Sequence, residues 1–176
     1  MIGGVSQWFQ SYGFADVLDG LLVGAYPLDA DDVDALARLG IQRVLNLTED
    51  AEYRRGDRET AQRALEAAGI EEYRLMLVDY GSLPPEALET AVQALNTWLD
   101  EGTRTYVHCR AGWQRSAAIA AGVVALRTGV DVDEALALIQ ERKPTADPLP
   151  HQREDLRRWW ELRQRAAARG RDSDSG

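Results

Sequence analysis

Between residues 103 and 127 the chain passes from a short apolar strand, through a polar loop holding one glycine, into an alanine-rich helix that stops at Gly129. A strand that turns directly into a helix folds that helix back onto the sheet, and units of this kind build parallel sheets covered on their faces. The same alternation runs along the rest of the chain. Apolar segments either side of Asp19-Gly20 predict a hairpin. Asp29 and Asp31 open a short helix with Val33, Leu36 and Leu39 at helical spacing, ended by Gly40. Residues 41–47 read as a strand and residues 57–68 as a helix ended by Gly69. Residues 73–78 read as a nearly continuous apolar strand, the pattern of a sheet covered on both faces. Ser82 can cap a helix entered through Pro84-Pro85, whose stripe is Leu88, Ala91, Leu95 and Leu99. Two further helices are expected at 133–142 and 152–168. The fold class is therefore α/β, a single domain with a central, mainly parallel, twisted sheet flanked by helices and an anion-binding loop between a strand and a helix.

The length of 176 residues suits one domain, expected over residues 1–169, with 170–176 read as a disordered tail. The single cysteine, Cys109, excludes an intramolecular disulfide, a cysteine-rich zinc finger and an iron–sulfur cluster. His108 and His151 are the only histidines and make no convincing metal cluster with it, so no metal or other cofactor is expected. A net charge of −9 disfavours nucleic acid and anionic membranes as partners. Lys143 is the only lysine among 20 lysine and arginine residues, a skew that fits either a GC-rich genome or adaptation to high salt. No apolar run approaches the length of a membrane span, and residues 1–10 lack the pattern of a secretory signal. A monomer in the reducing cytosol is the expectation.

The chemistry concentrates in Tyr106-Val107-His108-Cys109-Arg110-Ala111-Gly112-Trp113-Gln114-Arg115-Ser116. A strand end running into a helix N-terminus is where an α/β sheet binds anions. Successive backbone N–H groups can form a cradle there, and Gly112 permits a positive φ or a close backbone approach. Arg115 can hold a tetrahedral oxyanion, and with the amides it favours the thiolate of Cys109. A nucleophilic sulfur in such a cradle can attack a phosphate monoester and form a covalent cysteinyl-phosphate.

His-Cys-(five residues)-Arg-Ser, from His108 to Ser116, resembles the signature of the cysteine-dependent protein phosphatases. Gly20-Leu21-Leu22-Val23-Gly24 with Pro27, and Gly40-Ile41-Gln42-Arg43-Val44-Leu45-Asn46-Leu47-Thr48, resemble strands of the dual-specificity branch, so the likeness spans residues 14–160 and points to a small atypical member. The resemblance implies roles by position. Cys109 is the nucleophile, and Arg115 and the loop amides hold the phosphoryl oxygens. Ser116 stabilises the departing thiolate, and His108 orients the loop. Arg110, Ala111, Gly112, Trp113 and Gln114 bind substrate, and no metal takes part. The leaving group needs a proton; the family places an aspartate after the preceding strand, and Asp79 lies there.

The implied activity is removal of phosphate from phosphotyrosine and phosphoserine/threonine, in a pocket expected to be shallow. Arg110 hints at a polyanionic substrate, which leaves a phosphoinositide, an inositol phosphate or an RNA 5′-phosphate as alternatives, the last disfavoured by charge. Arg54 and Arg55 are candidates for guiding an anion, though in an arginine-rich chain a surface role suits them as well. A non-catalytic phosphate-binding module is disfavoured because Cys109, Arg115 and Asp79 are all present. A rhodanese-type sulfurtransferase is disfavoured by the spacing.

Overall fold

A computed structural model describes residues 4–174. Helix α1 (Gln7–Tyr12) leads into the antiparallel pair β1 (Phe14–Leu18) and β2 (Leu21–Ala25). Then follow α2 (Ala30–Arg38), β3 (Arg43–Asn46), a single 3-10 turn (Asp50–Glu52), α3 (Asp57–Ala67) and β4 (Glu71–Arg74). The second half holds α4 (Pro85–Asp100), β5 (Thr105–Cys109), α5 (Arg115–Thr128), α6 (Val132–Arg142) and α7 (Pro150–Asp174). The sheet order is β1-β2-β5-β3-β4, and only the hairpin pair is antiparallel. The expected α/β class with a mainly parallel sheet is what the chain adopts.

The strand at the centre, β5, is buried at every residue. Its side chains alternate between two cores, as the two-residue period of a strand requires. Val107, with Leu21, Val23 and Leu45, packs on α4, α5, α6 and α7. Tyr106, with Leu22 and Val44, packs on Phe9, Val33, Leu36 and Leu65 of α1, α2 and α3. Helix α5 is buried from Arg115 to Ala125, and its alanines let neighbouring helices approach on all sides.

Three expectations are corrected, and one helix is unanticipated. Ser82 does not cap α4, because Pro84 holds the cap position and no side chain bonds there. The strand expected at 73–78 is instead the short edge strand β4, which ends at Arg74. The extended backbone continues beside β3, with Leu75 N donating to Asn46 O and Leu77 N to Leu47 O at 3.0 Å. Leu77 is buried, but Met76 and Val78 are exposed because, among the described residues, no element covers them at the sheet edge. Helix α1 carries no strong apolar period and is not anticipated; Ser6 caps it, its Oγ accepting from Phe9 N at 3.1 Å. The expected tail from Gly170 is helical as far as Asp174, because the Arg- and Ala-rich run before it favours helix and one glycine costs only about 1 kcal/mol. Residues 1–3 of the segment tested for a secretory signal, and residues 175–176 of the tail, lie outside the described residues. Among the described residues no helix is long and apolar enough to cross a membrane.

Candidate active site

β5 delivers Cys109 to the carboxyl edge of the sheet, and the loop that follows bends over β2 before α5 begins at Arg115. The bend is possible only with glycine at its centre. Gly112 has φ 74°, and a Cβ there would lie 2.4 Å from the carbonyl carbon of Gly24. Arg110 O accepts from Tyr26 N at 3.1 Å and Trp113 O from Asp147 N at 2.6 Å, so the loop carbonyls are turned outward and tied down. None of the backbone N–H groups from Arg110 to Arg115 donates to another group among the described residues. Six donors in series without protein partners, ending at a helix N-terminus, form a site for an oxyanion.

Cys109 is 3% exposed, and its Sγ lies 3.3 Å from Ser116 Oγ. It lies on a cavity of about 290 Å³ that Arg110, Ala111, Trp113, Gln114, Arg115 and Asp79 also line. Gly112 shapes the loop without lining the cavity. His108 and Ser116 are fully buried and do not line it. His108 Nδ1–H donates to Cys109 O at 3.2 Å, and Nε2 has no partner among the described residues. Burial, with the nearby charges of Arg58, Arg115 and Arg74, pushes the imidazole pKa down to about 3, so the ring is neutral at ordinary pH.

Arg115 departs from the simple picture of a fork aimed at an anion. Its Nη1 donates to Glu52 Oε2 at 2.8 Å and to Leu77 O at 2.8 Å, and its Nη2 to Glu52 Oε1 at 2.6 Å. Nη2 also lies 3.0 Å from Asp79 Oδ1. Nε is buried and has no partner among the described residues, and is the donor left over. Burial opposes the charge of Arg115, but the Glu52 hydrogen bonds and the charges of Cys109, Glu52 and Asp79 outweigh it and hold its pKa above the ordinary arginine value.

Glu52 is one residue that sequence reasoning missed. It ends the 3-10 turn after β3, and Glu49 N donates to its Oε2 at 2.7 Å. The available signal was its position beyond the carboxyl end of a parallel strand, where α/β sheets place ligands; among 29 acidic residues that signal is faint. Arg54 and Arg55, from the same loop, are exposed and line a separate surface hollow rather than the Cys109 cavity.

Asp79 sits on a loop that α7 holds. His151 Nε2 donates to Tyr80 O at 3.0 Å, Gln152 Nε2 donates to Gly81 O at 3.1 Å, and Asp155 Oδ2 accepts from Leu83 N at 2.8 Å. The structure thus brings Asp79 to the same cavity as Cys109 and Arg115, which share one loop about 30 residues further along the chain. Trp8 and Tyr12 of α1, and Tyr80, line it too and were not foreseen.

Comparison with known proteins agrees with this geometry. The family model for the dual specificity phosphatase catalytic domain matches residues 22–161. Dual specificity protein phosphatase 15 of Mus musculus is 28% identical over 145 residues, 82% of this chain and 56% of that protein. Its Homo sapiens counterpart is 26% identical over 162 residues, 91% of this chain and 50% of that protein. The chain therefore spans about half the length of the curated relatives it matches. Among solved structures, PTPMT1 in complex with PI(5)P superposes with a TM-score of 0.74 at 26% identity, covering 87% of this chain and 98% of that one. Tk-PTP in its active form also reaches 0.74, at 22% identity, covering 84% and 96%, a likeness of fold alone. With a Cys-(five residues)-Arg loop at the end of the central strand and a family match over most of its length, the chain belongs to the dual specificity phosphatase catalytic-domain family, in the superfamily of cysteine-dependent protein tyrosine phosphatases.

Proposed function

We propose that the chain hydrolyses phosphate monoesters through a cysteinyl-phosphate intermediate. The observation that carries this is the series of unpartnered amides from Arg110 to Arg115 beside the Cys109 sulfur, with the unpartnered Nε of Arg115. In the first step the Cys109 thiolate forms a bond to phosphorus while the bond to the ester oxygen breaks. The loop amides and Arg115 Nε–H hold the three equatorial oxygens, where charge gathers in the transition state. Asp79 gives its proton to the leaving oxygen. In the second step Asp79 takes a proton from a water that attacks phosphorus, and the sulfur leaves as thiolate. Ser116 Oγ, 3.3 Å from the sulfur, donates to it as it leaves. Neutral His108 acts from behind, through its hydrogen bond to the Cys109 carbonyl, by fixing the loop.

The substrates are phosphotyrosine and phosphoserine/threonine in proteins, a reading supported by the family and by similarity to dual specificity protein phosphatase 15. A phosphoinositide is the second reading, favoured by the likeness to PTPMT1 solved with PI(5)P and by Arg110 at the cavity. The catalytic thiol requires a reducing compartment, so the reading includes a cytosolic monomer that needs no metal. Purified protein in chelator should hydrolyse a simple aryl phosphate, and vanadate should inhibit it. Cys109→Ser should abolish turnover yet still bind phosphate. A fully active Cys109→Ser protein would remove the basis of the mechanism.

A further inference from the structure

The chain draws its cations almost wholly from arginine: Lys143 is the only lysine among 20 lysine and arginine residues. Among the described residues, Lys143 and Arg115 are also the only lysine or arginine residues that are buried, at 5% and 1% exposed. Their partners differ. Arg115 shares its charge with two carboxylates, Glu52 and Asp79. Lys143 makes no ion pair among the described residues. Its Nζ donates to Tyr12 O at 3.2 Å and to Thr145 Oγ1 at 2.8 Å, both neutral acceptors. A buried ammonium without a carboxylate is costly unless another negative charge answers it.

Lys143 closes α6 beside the cradle loop. Its carbonyl accepts from Ala146 N at 2.9 Å, and Asp147 N donates to Trp113 O at 2.6 Å, so the turn over 143–147 is tied to the cradle. Ala146 is fully buried in the same core as Cys109. The bond from Nζ to Tyr12 O fastens the end of α1, a helix of six residues with little stability of its own, to this turn. Tyr12 and Trp113 have ring centroids 5.5 Å apart and both line the Cys109 cavity, whereas Lys143 does not. Lys143 therefore reaches the cavity only through the residues it holds and through its charge. Burial pulls its pKa below the ordinary lysine value, and the negative charge of Cys109 opposes that pull.

We infer that Lys143 is a positioning residue for the reaction: held against α1 and the turn beside the cradle loop, it serves as the buried counter-charge of the Cys109 thiolate. The inference rests on the reading of Cys109 as the nucleophile. The charge of Arg115 is divided between Glu52 and Asp79, and the His108 ring is neutral, so a further cation favours the ionised sulfur. Arg110 is exposed, and water weakens its field at the sulfur. A lysine suits the place because its charge sits in one compact group, whereas a guanidinium is shaped to fork toward carboxylates. The coupling is reciprocal: as far as the ammonium favours the thiolate, the thiolate favours the ammonium.

One cysteine and one lysine make both groups readable in the full chain. Iodoacetamide alkylates the thiolate of Cys109 rather than the thiol. Lys143→Gln, which keeps a donor for Tyr12 O, and Lys143→Met should both be alkylated about 3- to 10-fold more slowly than the parent at about pH 6. At about pH 9.5, where thiols ionise unaided, the three rates should converge. Equal rates in the acid arm overturn the inference. So does an equal loss in both arms, which is the mark of altered access rather than of charge. The reciprocal measurement leaves Lys143 in place and decides the matter even where neither variant folds. With isotope-labelled lysine, the Cε carbon of Lys143 gives a single NMR signal. Its titration midpoint should fall in Cys109→Ser, which removes the thiolate, and an unmoved midpoint overturns the inference. A parent that meets these expectations yet cleaves no aryl phosphate upholds the counter-charge and overturns the phosphatase reading instead.

Discussion

Arg115 gives both of its terminal nitrogens to the Glu52 carboxylate, at 2.8 and 2.6 Å, and both side chains are nearly buried, at 1% and 8% exposed. The pair joins the end of β3 to the start of α5 and sets the direction in which the remaining donor, Nε, is turned. Glu52→Gln keeps the shape but removes the charge and one acceptor. It should lower kcat/KM by about 100-fold, since small misplacements of a positioning group cost that much. Unfolding in urea should show a loss of about 3 kcal/mol for Glu52→Ala, because an arginine would be left buried with only Asp79 and a carbonyl as partners. Activity equal to the parent in both variants would show that Nε alone orients the anion.

Asp79 is the candidate proton donor, so its removal should matter in proportion to how badly the leaving group needs a proton. Asp79→Asn should slow release of a poor leaving group such as a threonine alkoxide by about 100-fold or more. A nitrophenolate, which leaves unaided, should be affected much less. Steady-state rates on a series of aryl and alkyl phosphates measure this, and an equal loss across the series would move the acid role elsewhere.

The contact between Gly112 and Gly24 leaves no room for a side chain. Gly112→Ala places a methyl 2.4 Å from the Gly24 carbonyl carbon and forces alanine to φ 74°. Thermal and urea unfolding should show a loss of about 3 kcal/mol or more from overpacking and backbone strain. Folded Gly112→Ala protein should bind vanadate more weakly, because the amides must shift to make room.

His108 should make the fold sensitive to acid. Its pKa falls from 6.5 to about 3 on folding, chiefly through burial. Between those values the unfolded chain holds a proton that the native chain does not. Stability therefore rises with pH through this window and is lost as pH falls from about 6.5. His108→Asn should flatten the dependence of the urea midpoint on pH between about pH 4 and pH 6.5. An unaltered profile would assign the acid sensitivity to carboxylates.

The α7 residues that hold the Asp79 loop should act on rate more than on stability. Asp155→Ala frees the Leu83 N–H and should cost about 1 kcal/mol. Its kcat should fall about 10-fold as Asp79 loses its fixed position. A drop in stability without a drop in kcat would show that the loop stays placed without that contact.

The local sequence determined the elements and the cradle. Local pattern placed α5 and the hairpin at Asp19-Gly20 because both rest on contacts within a few residues, and it marked β5 by its apolar run although that strand pairs with distant β2 and β3. The run from His108 to Ser116 displayed the sulfur, the glycine bend and the arginine for the same reason, since they share one loop. Asp79 became legible through family resemblance, at a distance along the chain. Tertiary structure alone decided what meets that loop. The Glu52 clamp, the aromatic face of α1, the Lys143 anchor and the hold of α7 on residues 80–83 all join segments far apart in sequence. Their residue types are ordinary where they stand, and only the packing of the helices on the two faces of the sheet brings them within bonding distance. The same holds for residues 73–78: their apolar run suited a buried strand, but β4 ends at Arg74 on the sheet edge and Met76 and Val78 beyond it are exposed. A strand's own composition does not say whether a neighbour will cover it.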